Sequence, residues 1–198
     1  MIEFPADSPY YYDALEPAKV LRFFRKFLRH IDGDLRGQPI EPLPWVVDMV
    51  DNIYGVKCKS NGKRRYTEVY IEVPRKSGKS ISVAALSLYE LCFGEYRGEV
   101  IVGASAGHQA KHLFDYAVDM VRVSPVLGKM LTIYKSHIYC KNTNSSFKVA
   151  SRDGDTLQGT NPSVGIVDEL HVQPDSELYD SMQQGQTLRK QPLMIGLS

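Results

Sequence analysis

Residues 72–82 read EVPRKSGKSIS and contain the triplet Gly78, Lys79 and Ser80. In the phosphate-binding pattern GxxxxGK followed by Ser or Thr, backbone N–H groups surround the phosphates of a nucleotide. The lysine reaches the β and γ oxygens, and the hydroxyl binds Mg²⁺. Val73 stands where this pattern should open with glycine. Such a triplet occurs by chance in roughly one chain in ten of this size, so its surroundings must decide whether it binds phosphate.

Two acids supply the other half of a candidate site. Asp168 and Glu169 directly follow the apolar run VGIV. A nucleotide hydrolase needs cations at the phosphates, a hydroxyl and an acid to hold Mg²⁺, and a base for the attacking water. Lys79 is the predicted cation, Ser80 and Asp168 are the predicted Mg²⁺ ligands, and Glu169 is the predicted base. Taken alone, the two acids would be a surface pair at the end of a strand.

The missing glycine weakens the wrapping of the loop around phosphate, but two cations lie inside the loop. Arginine binds phosphate oxygens well because its planar group donates two hydrogen bonds at once. We therefore predict that Arg75 acts in catalysis together with Lys79 and Glu169; the alternative is that Arg75 and Lys76 only face solvent. The predicted nucleotide-binding loop consists of Pro74, Arg75, Lys76, Ser77, Gly78, Lys79 and Ser80.

The elements around these residues predict an α/β fold. TEVYIEVP reads as a strand stopped by Pro74, the triplet follows, KSISVAALSLYELCFG reads as a helix, and EVIVGAS as a buried strand. This strand–loop–helix–strand order is the setting that a phosphate loop requires. The later predicted elements are a helix over residues 107–123, strands LTIYKSHIYC and SSFKVAS joined by KNTN, the strand before Asp168, a helix SELYDSMQQGQ, and a last strand QPLMIGLS. We expect a P-loop fold with a mainly parallel central sheet flanked by helices.

The first part of the chain predicts a helical subdomain over residues 1–60, followed by the P-loop core over residues 61–198. Residues 17–31 carry an apolar helical stripe that includes Phe24 and Phe27, with arginines and lysine largely on other faces. A basic amphipathic helix can lie on a membrane, but packing on a core is the preferred interpretation. VVDMVDNIYG predicts another short helix that ends at Gly55.

Composition narrows the class of protein. A chain of 198 residues with 43% apolar residues can bury one sizeable core. No apolar run approaches the ~20 residues that cross a bilayer, and the start lacks the features of a signal peptide, so we expect a cytoplasmic protein. Cys58, Cys92 and Cys140 form no CxxC pair; we interpret them as reduced core thiols, with zinc as the alternative.

The net charge of +1 hides two segregated segments. Residues 57–79 hold eight basic residues against Glu68 and Glu72, whereas residues 151–180 hold seven acids against Arg152. The first segment suits an anion and the second a cation or a metal, although both could be ordinary solvated surfaces. The loop over residues 57–65 is a candidate DNA contact, or a part of the nucleotide site or of a subunit boundary.

Taken together, these motifs resemble a known family. VPRKSGKS, GASAGHQAKHLFDYA, GTNPSVGIVDELH and RKQPLMIGLS, preceded by LPWVVDMVDNIYG and KRRYTEVYIE, are similar to the ATPase region of the large terminase subunits of tailed phages. The resemblance covers residues 43–198. It implies a motor that couples hydrolysis of ATP with Mg²⁺ to the movement of double-stranded DNA into a procapsid. It also implies roles for Arg75 and Lys79 in the loop, for Asp168 at Mg²⁺ and for Glu169 as base, and places the start of a coupling motif at Ser198.

The resemblance further implies partners: DNA held by non-specific backbone contacts, a portal protein, a small terminase subunit, and further copies of the chain in a ring, in the cytoplasm of a host cell and without a membrane. The chain departs from the family at Val46, where a glutamine associated with adenine recognition is common. Some relatives carry a trans-acting arginine in an LRG segment where this chain has Leu157, Gln158 and Gly159. Arg152 is a candidate substitute, and the preferred interpretation is that it is an ordinary arginine of a surface loop. In the family a nuclease domain comes after this region, and none lies within these 198 residues, so we expect a fragment that does not cleave DNA.

Two alternatives remain from the sequence. DELH matches the DExH pattern of helicases, with His171 as a coupling residue, but those enzymes need a second motor domain for which this chain has no room. A degenerate loop could also bind nucleotide or DNA without hydrolysis. The complete set of Lys79, Ser80, Asp168 and Glu169 argues against that second alternative.

Overall fold

A computed structural model describes residues 2–104, 107–150 and 159–198 of the chain. The strands are β1 (Tyr10–Tyr12), β2 (Val56–Cys58), β3 (Glu68–Ile71), β4 (Glu99–Gly103), β5 (Leu131–Ile133), β6 (His137–Cys140), β7 (Ser145–Val149), β8 (Val164–Val167) and β9 (Leu193–Leu197). The helices are α1 (Leu15–Phe27), α2 (Pro44–Val50), α3 (Lys79–Phe93), α4 (Gly107–Val123), α5 (Leu127–Met130) and α6 (Glu177–Gly185).

The central sheet is mainly parallel, as the sequence predicts. Its strand order is β3-β9-β8-β4-β7-β6-β5, and the first five of these strands run parallel to one another. Strands β8 and β9 are buried along their whole length, as expected for parallel strands covered on both faces. The carboxyl ends of β3, β9, β8 and β4 therefore lie at one edge of the sheet, and the residues that follow them are brought together there.

The far side of the sheet is antiparallel and differs from the prediction. LTIYKSHIYC was predicted as one strand, but it forms β5 and β6 with a tight turn between them, in which Tyr134 N donates to His137 O at 2.8 Å. The rings of Tyr134 and His137 stack with centroids 4.6 Å apart. The polar residues Lys135 and Ser136 occupy the turn, where the alternation that favours a continuous strand is interrupted.

The apolar face of α1 is buried within the protein. Val20, Phe23 and Phe24 are almost completely buried, and the ring of Phe23 packs edge-on against Tyr89 of α3 with centroids 5.6 Å apart. Core packing therefore accounts for the apolar stripe. The helix ends four residues earlier than predicted because Leu28 adopts an extended conformation, although its side chain remains buried.

The helix predicted for VVDMVDNIYG consists of two segments with different helical geometry. Helix α2 continues into a π-helical turn over Asp51–Gly55, which ends where predicted. A Cβ atom at Gly55 would lie 2.3 Å from Cε2 of Tyr12, so glycine is required for β1 to pair with β2. Side chains from α1, α2 and α3 belong to one hydrophobic cluster, which fixes the first part of the chain against the helix that begins at the phosphate loop.

All three cysteines lie within the described residues. The three cysteines are free, with Cys92 and Cys140 buried and Cys58 partly buried. Within the described ranges no three His, Cys, Asp or Glu side chains are grouped to hold a metal. No helix in the same ranges has both the length and the apolar character that a membrane crossing requires.

Candidate active site

The loop between β3 and α3 explains why Val73 can replace a glycine. The side chain of Val73 is partly buried and packs against the main hydrophobic cluster. Later in the loop, Ser77 N donates to Pro74 O at 3.2 Å. Gly78 has a φ of 74°, a left-handed conformation that glycine adopts without a steric cost, and a Cβ there would lie 3.3 Å from Leu43 Cδ1. Glycine is therefore needed immediately before α3 and not at the start of the loop.

The two extra cations of the loop are directed to solvent. Arg75 and Lys76 are exposed, and among the described residues neither forms an ion pair. Lys76 has a φ of 67°, which is uncommon for a residue with a side chain. The loop thus presents two free cations beside the start of α3, where unpaired backbone N–H groups and the helix dipole favour an anion.

Trp45 holds the loop in place from outside. Its indole Nε1 donates a hydrogen bond to the carbonyl oxygen of Ser77 at 3.1 Å. The next residue, Val46, is fully buried and belongs to the hydrophobic cluster, so its side chain is not available to a ligand. In the sequence, Trp45 and Val46 were notable only because Val46 replaces the glutamine that is common in the family. The hydrogen bond from Trp45 to the loop was not predicted.

The acids follow β8 at the same edge of the sheet. Asp168 is 6% exposed, and its backbone N–H donates to Gly103 O at 2.9 Å. Glu169 has φ 49° and ψ 52°, a strained conformation for a residue with a side chain. Its N–H donates to Asp168 Oδ1 at 3.0 Å, and Gln173 Nε2 donates to Asp168 O at 3.0 Å. These bonds hold the turn that carries the two acids.

Lys79 links the loop to the acids. Its Nζ lies 3.4 Å from Glu169 Oε1, with the two side chains 15% and 33% exposed. The pKa of Asp168 is raised, mainly because burial disfavours its charged form, while nearby Lys79 and His112 lower it. A buried carboxylate of this kind suits a metal cation. Mg²⁺ commonly takes only one or two protein ligands and completes its shell with phosphate and water. Asp168 and Ser80, the second residue of α3, are the residues that could hold it here.

The last residue of the described chain also reaches this edge. Ser198 N donates to Ile71 O at 3.0 Å, and Ser198 Oγ is hydrogen-bonded to His171 Nδ1. The other ring nitrogen of His171 lies 3.5 Å from Glu169 Oε2. The structure thus brings Lys79, Glu169 and Ser198 together, with His171 between the last two. The sequence indicated a role for His171 only through the helicase pattern DELH, in which it stands two residues after Glu169. Arg152 lies outside the described residues.

The basic residues before β3 have different surroundings. Arg64 Nη2 lies 3.3 Å from Glu90 Oε1, and these side chains are 10% and 6% exposed. Tyr54 donates to the same carboxylate oxygen at 2.6 Å. The guanidinium of Arg65 lies over the ring of Tyr10 at 4.1 Å. The arginines of this loop are therefore engaged within the protein, at the opposite end of β3 from the acids.

Two further lysines of this segment are also engaged. Lys57 Nζ lies 2.8 Å from Asp13 Oδ2, and Lys59 Nζ donates to Ala6 O at 3.0 Å. Lys63 is exposed and forms no ion pair with any residue that the structure describes. Of the predicted DNA-contact loop, Lys63 is thus the side chain most available to an outside partner.

Comparison with known proteins identifies the family. Residues 44–197 match the family model for "Terminase large subunit, ATPase domain". The chain belongs to this terminase family. The large terminase subunit of Enterobacteria phage HK97 is 27% identical over 186 residues, which cover 91% of this chain and 36% of that protein. The crystal structure of the HK97 large terminase superposes with a TM-score of 0.78 at 25% identity, over 92% of this chain and 37% of the other.

A more distant terminase shares the fold. The large terminase of a thermophilic bacteriophage, solved in complex with ADP, gives a TM-score of 0.54 at 12% identity over 94% of this chain and 38% of that one. The chain thus spans somewhat more than a third of these relatives. The resemblance read from the motifs is confirmed, and the chain is the ATPase domain of a phage terminase large subunit.

Proposed function

We propose that this terminase domain hydrolyses ATP with Mg²⁺ and, within the packaging motor, drives double-stranded DNA into a procapsid. One observation carries the proposal: Lys79, Asp168 and Glu169, from two separate parts of the chain, lie together at the carboxyl edge of the sheet, with Lys79 Nζ 3.4 Å from Glu169 Oε1. A lysine at the end of a phosphate loop, with two acids beside it, supplies the parts that phosphoryl transfer to water requires.

The geometry suggests how the site works. Phosphates bind at the start of α3, where the loop N–H groups and Lys79 meet them. Ser80 and Asp168 would hold Mg²⁺, which supplies positive charge to the transferring phosphate when bound. Lys79 must leave Glu169 to reach the phosphates, and this movement frees Glu169 Oε1 to accept a proton from the attacking water. Arg75, exposed and without a carboxylate partner in the described residues, is free to turn toward the same phosphates.

The wider roles follow from the family. The terminase of the thermophilic bacteriophage was solved with ADP, which supports nucleotide binding in this chain. We infer that the complete motor also takes a portal protein, a small terminase subunit and further copies of the large subunit, that it works in the host cytoplasm, and that it grips the DNA backbone without reading bases. Ser198, at the end of β9, is the proposed start of the coupling segment.

Substitution of Glu169 by Gln tests the proposal. The variant keeps the size of the side chain but lacks the basic carboxylate, so it should bind Mg-ATP within about threefold of wild type and lose at least about 100-fold in turnover, as expected when a general base is removed. Phosphate release measures turnover, and a fluorescent ATP analogue measures binding. Glu177→Gln, at an exposed position on α6, is the matched control. Turnover by Glu169→Gln equal to that control would contradict the assignment.

A further inference from the structure

Two of the three cysteines meet in the core, although they are far apart in the sequence. Cys92 lies in the last turn of α3, and Cys140 is the last residue of β6. Their side chains are 4% and 0% exposed, respectively, and both belong to the main hydrophobic cluster. The two thiols are hydrogen-bonded to each other. Two thiols in such contact can be joined by oxidation with little movement of the backbone.

The turn between β6 and β7, residues 141–144, is tied to the end of α3. Thr143 Oγ1 donates a hydrogen bond to Leu91 O at 2.7 Å, and Leu91 directly precedes Cys92. On its other side, the carbonyl oxygen of Thr143 accepts from Arg97 N at 2.7 Å. These bonds place the end of β6 beside the last turn of α3 without involving either sulfur atom. The contact between the thiols is therefore a consequence of the fold around them.

The two sulfur atoms have different surroundings. Cys140 Sγ accepts from the Cys92 thiol and from the backbone N–H groups of Asn142 and Thr143, and these bonds lower the pKa of Cys140 to about 5, although burial opposes the shift. The pKa of Cys92 is raised, because its proton is shared with Cys140 and its side chain is buried. The thiolate is the nucleophilic form of cysteine. Cys140 is thus suited to attack, and Cys92 holds its proton beside it.

A short path leads from solvent to Cys140. The cysteine directly precedes the turn of residues 141–144, in which Lys141, Asn142 and Asn144 are exposed. Asn144 has a φ of 53°, a left-handed conformation that favours a tight turn. Exposed turns open locally at a small cost compared with global unfolding. A small oxidant can therefore reach the sulfur of Cys140 when this turn opens, while α3 and the central sheet stay folded.

We propose that Cys92 and Cys140 form a redox site at which a hydroperoxide produces a reversible disulfide. The Cys140 thiolate attacks the peroxide, an S–O bond forms and the O–O bond breaks, and the second oxygen leaves as water after taking a proton. The sulfur of Cys92 then attacks Cys140, the S–S bond forms, and the S–O group leaves with the Cys92 proton as water. The thiols lose two electrons and the peroxide gains them. A cytosolic thiol pool reverses the reaction.

Peroxide treatment of the folded chain tests the site without ATP hydrolysis. The Cys58→Ser variant removes the third cysteine, which is partly buried at the end of β2. After treatment with hydrogen peroxide, this variant should lose both thiols to alkylation and weigh less by the mass of two hydrogens. Digestion should give one peptide pair joined through Cys92 and Cys140, and dithiothreitol should restore both thiols. Two thiols that remain free, or a disulfide that forms only in urea, would overturn the inference.

Single substitutions in the same background separate the two roles. In Cys92→Ala, Cys140 should stop at the sulfenic acid, which dimedone traps, because no second thiol is present to displace it. In Cys140→Ala, Cys92 should remain a free thiol under the conditions that convert the pair. Circular dichroism checks that both variants are folded, and alanine avoids burying a hydroxyl group. Trapping of Cys92 in Cys140→Ala at the rate of Cys140 in Cys92→Ala would contradict the assigned order of attack.

The pH dependence of the reaction provides an independent check. Because Cys140 is already a thiolate, the rate of disulfide formation should stay within about twofold between about pH 6.5 and pH 8. An ordinary thiol, with a pKa of about 8.5, would instead react at least about tenfold faster at the upper end of this range. Cys58 in the double variant Cys92→Ala, Cys140→Ala serves as the comparison for a cysteine without a thiol partner. A rate at the pair that rises with pH as steeply as that of Cys58 would overturn the inference.

Discussion

The basic residues on the two sides of β3 come from one segment of sequence but have opposite surroundings. Before the strand, Arg64 is buried against Glu90 and Arg65 lies over Tyr10. After it, Arg75 and Lys76 are exposed and Lys79 makes one long contact with Glu169. The difference shows that this cationic run contains two sets of side chains, one before β3 and one after it. One set is engaged with other groups of the protein, and the other is the set that we propose binds the phosphates of a nucleotide.

The partners of each set explain the difference. The carboxylate of Glu90 accepts from Arg64 and Tyr54, and the side chains of Arg64 and Glu90 are largely buried. Burial raises the pKa of Tyr54, so its phenol stays neutral and donates. At the loop, the first residues of α3 offer N–H groups but few carboxylates. A substitution before β3 should therefore change stability, and one after β3 should change binding or catalysis.

The largest expected effect is the loss of stability in Arg64→Ala. Removing one partner of a buried ion pair typically costs 3–5 kcal/mol, because the remaining charge stays buried without compensation. Arg64 Nη1 has no hydrogen-bond partner among the described residues, so we expect about 3 kcal/mol. Urea unfolding measures the change. Arg65→Ala is the control and should lose only ~0.5–1 kcal/mol, the range for an exposed cation–π contact. An Arg64→Ala loss no greater than the Arg65→Ala loss would contradict the comparison.

The next effect is the loss of nucleotide binding in Lys79→Ala. The ammonium group is the cation that faces the β and γ phosphates in the proposed complex, and a hydrogen bond to a charged group contributes about 1.5–3 kcal/mol. We expect the Kd for Mg-ATP to rise at least about 30-fold, with little change in the free energy of unfolding because the pair with Glu169 is weak and partly exposed. Calorimetric titration measures the Kd for Mg-ATP. Lys63→Ala is the control and should bind Mg-ATP with the Kd of wild type. A Kd within about threefold of wild type would remove Lys79 from the phosphate site.

Arg75 should affect turnover more than its exposure suggests. If it supplies charge that the loop lost with the first glycine, Arg75→Ala should lower kcat at least about 10-fold, equivalent to ~1.4 kcal/mol in the transition state. Arg75→Lys keeps the charge without the planar pair of donors, so its kcat should lie between those of wild type and Arg75→Ala. Stability should not change in either variant, in contrast to Arg64→Ala. Wild-type turnover in Arg75→Ala would mean that this side chain only faces solvent.

The sequence predicted the parts of the site that depend on local pattern. The strand before the loop, the helix after it, and the apolar strand before Asp168 follow from runs of β-branched or apolar residues and their stops. Those patterns place Lys79 and Glu169 at strand and helix ends, and the parallel sheet then brings the ends together. The family resemblance added Ser198 through its motif, and the structure places that residue at the same edge.

Other features depend on contacts between distant residues and could not be read from a pattern. The burial of Arg64 requires Glu90 and Tyr54 from two helical segments, and nothing in the run KSNGKRRY indicates which arginine turns inward. The contact of His171 with Ser198 requires Ser198 to lie beside β3, which is a consequence of strand order. The packing of Val73 against the hydrophobic cluster depends on the path of the whole loop, which no local pattern specifies.

The smallest expected effect concerns DNA, and the structure changes which side chain should be tested. Because Arg64 and Arg65 are engaged within the protein, substituting them would confuse loss of stability with loss of a phosphate contact. Lys63 is exposed at the tip of the same loop. If it contacts the DNA backbone, Lys63→Ala should weaken binding to a labelled duplex only a few-fold and reduce the slope of log K against log salt by about 0.9, the value for one phosphate contact.

Lys141→Ala, at an exposed position in the turn between β6 and β7, carries the same change of charge at a different place on the surface. Wild type and both variants should be titrated with duplexes of two unrelated sequences at two salt concentrations, since backbone contacts are insensitive to sequence. A single domain should bind weakly because a ring of subunits multiplies weak contacts. If Lys63→Ala and Lys141→Ala change affinity and slope equally, the loop is not a DNA contact. The cations before β3 would then serve stability alone, and the contrast with the nucleotide loop would be complete.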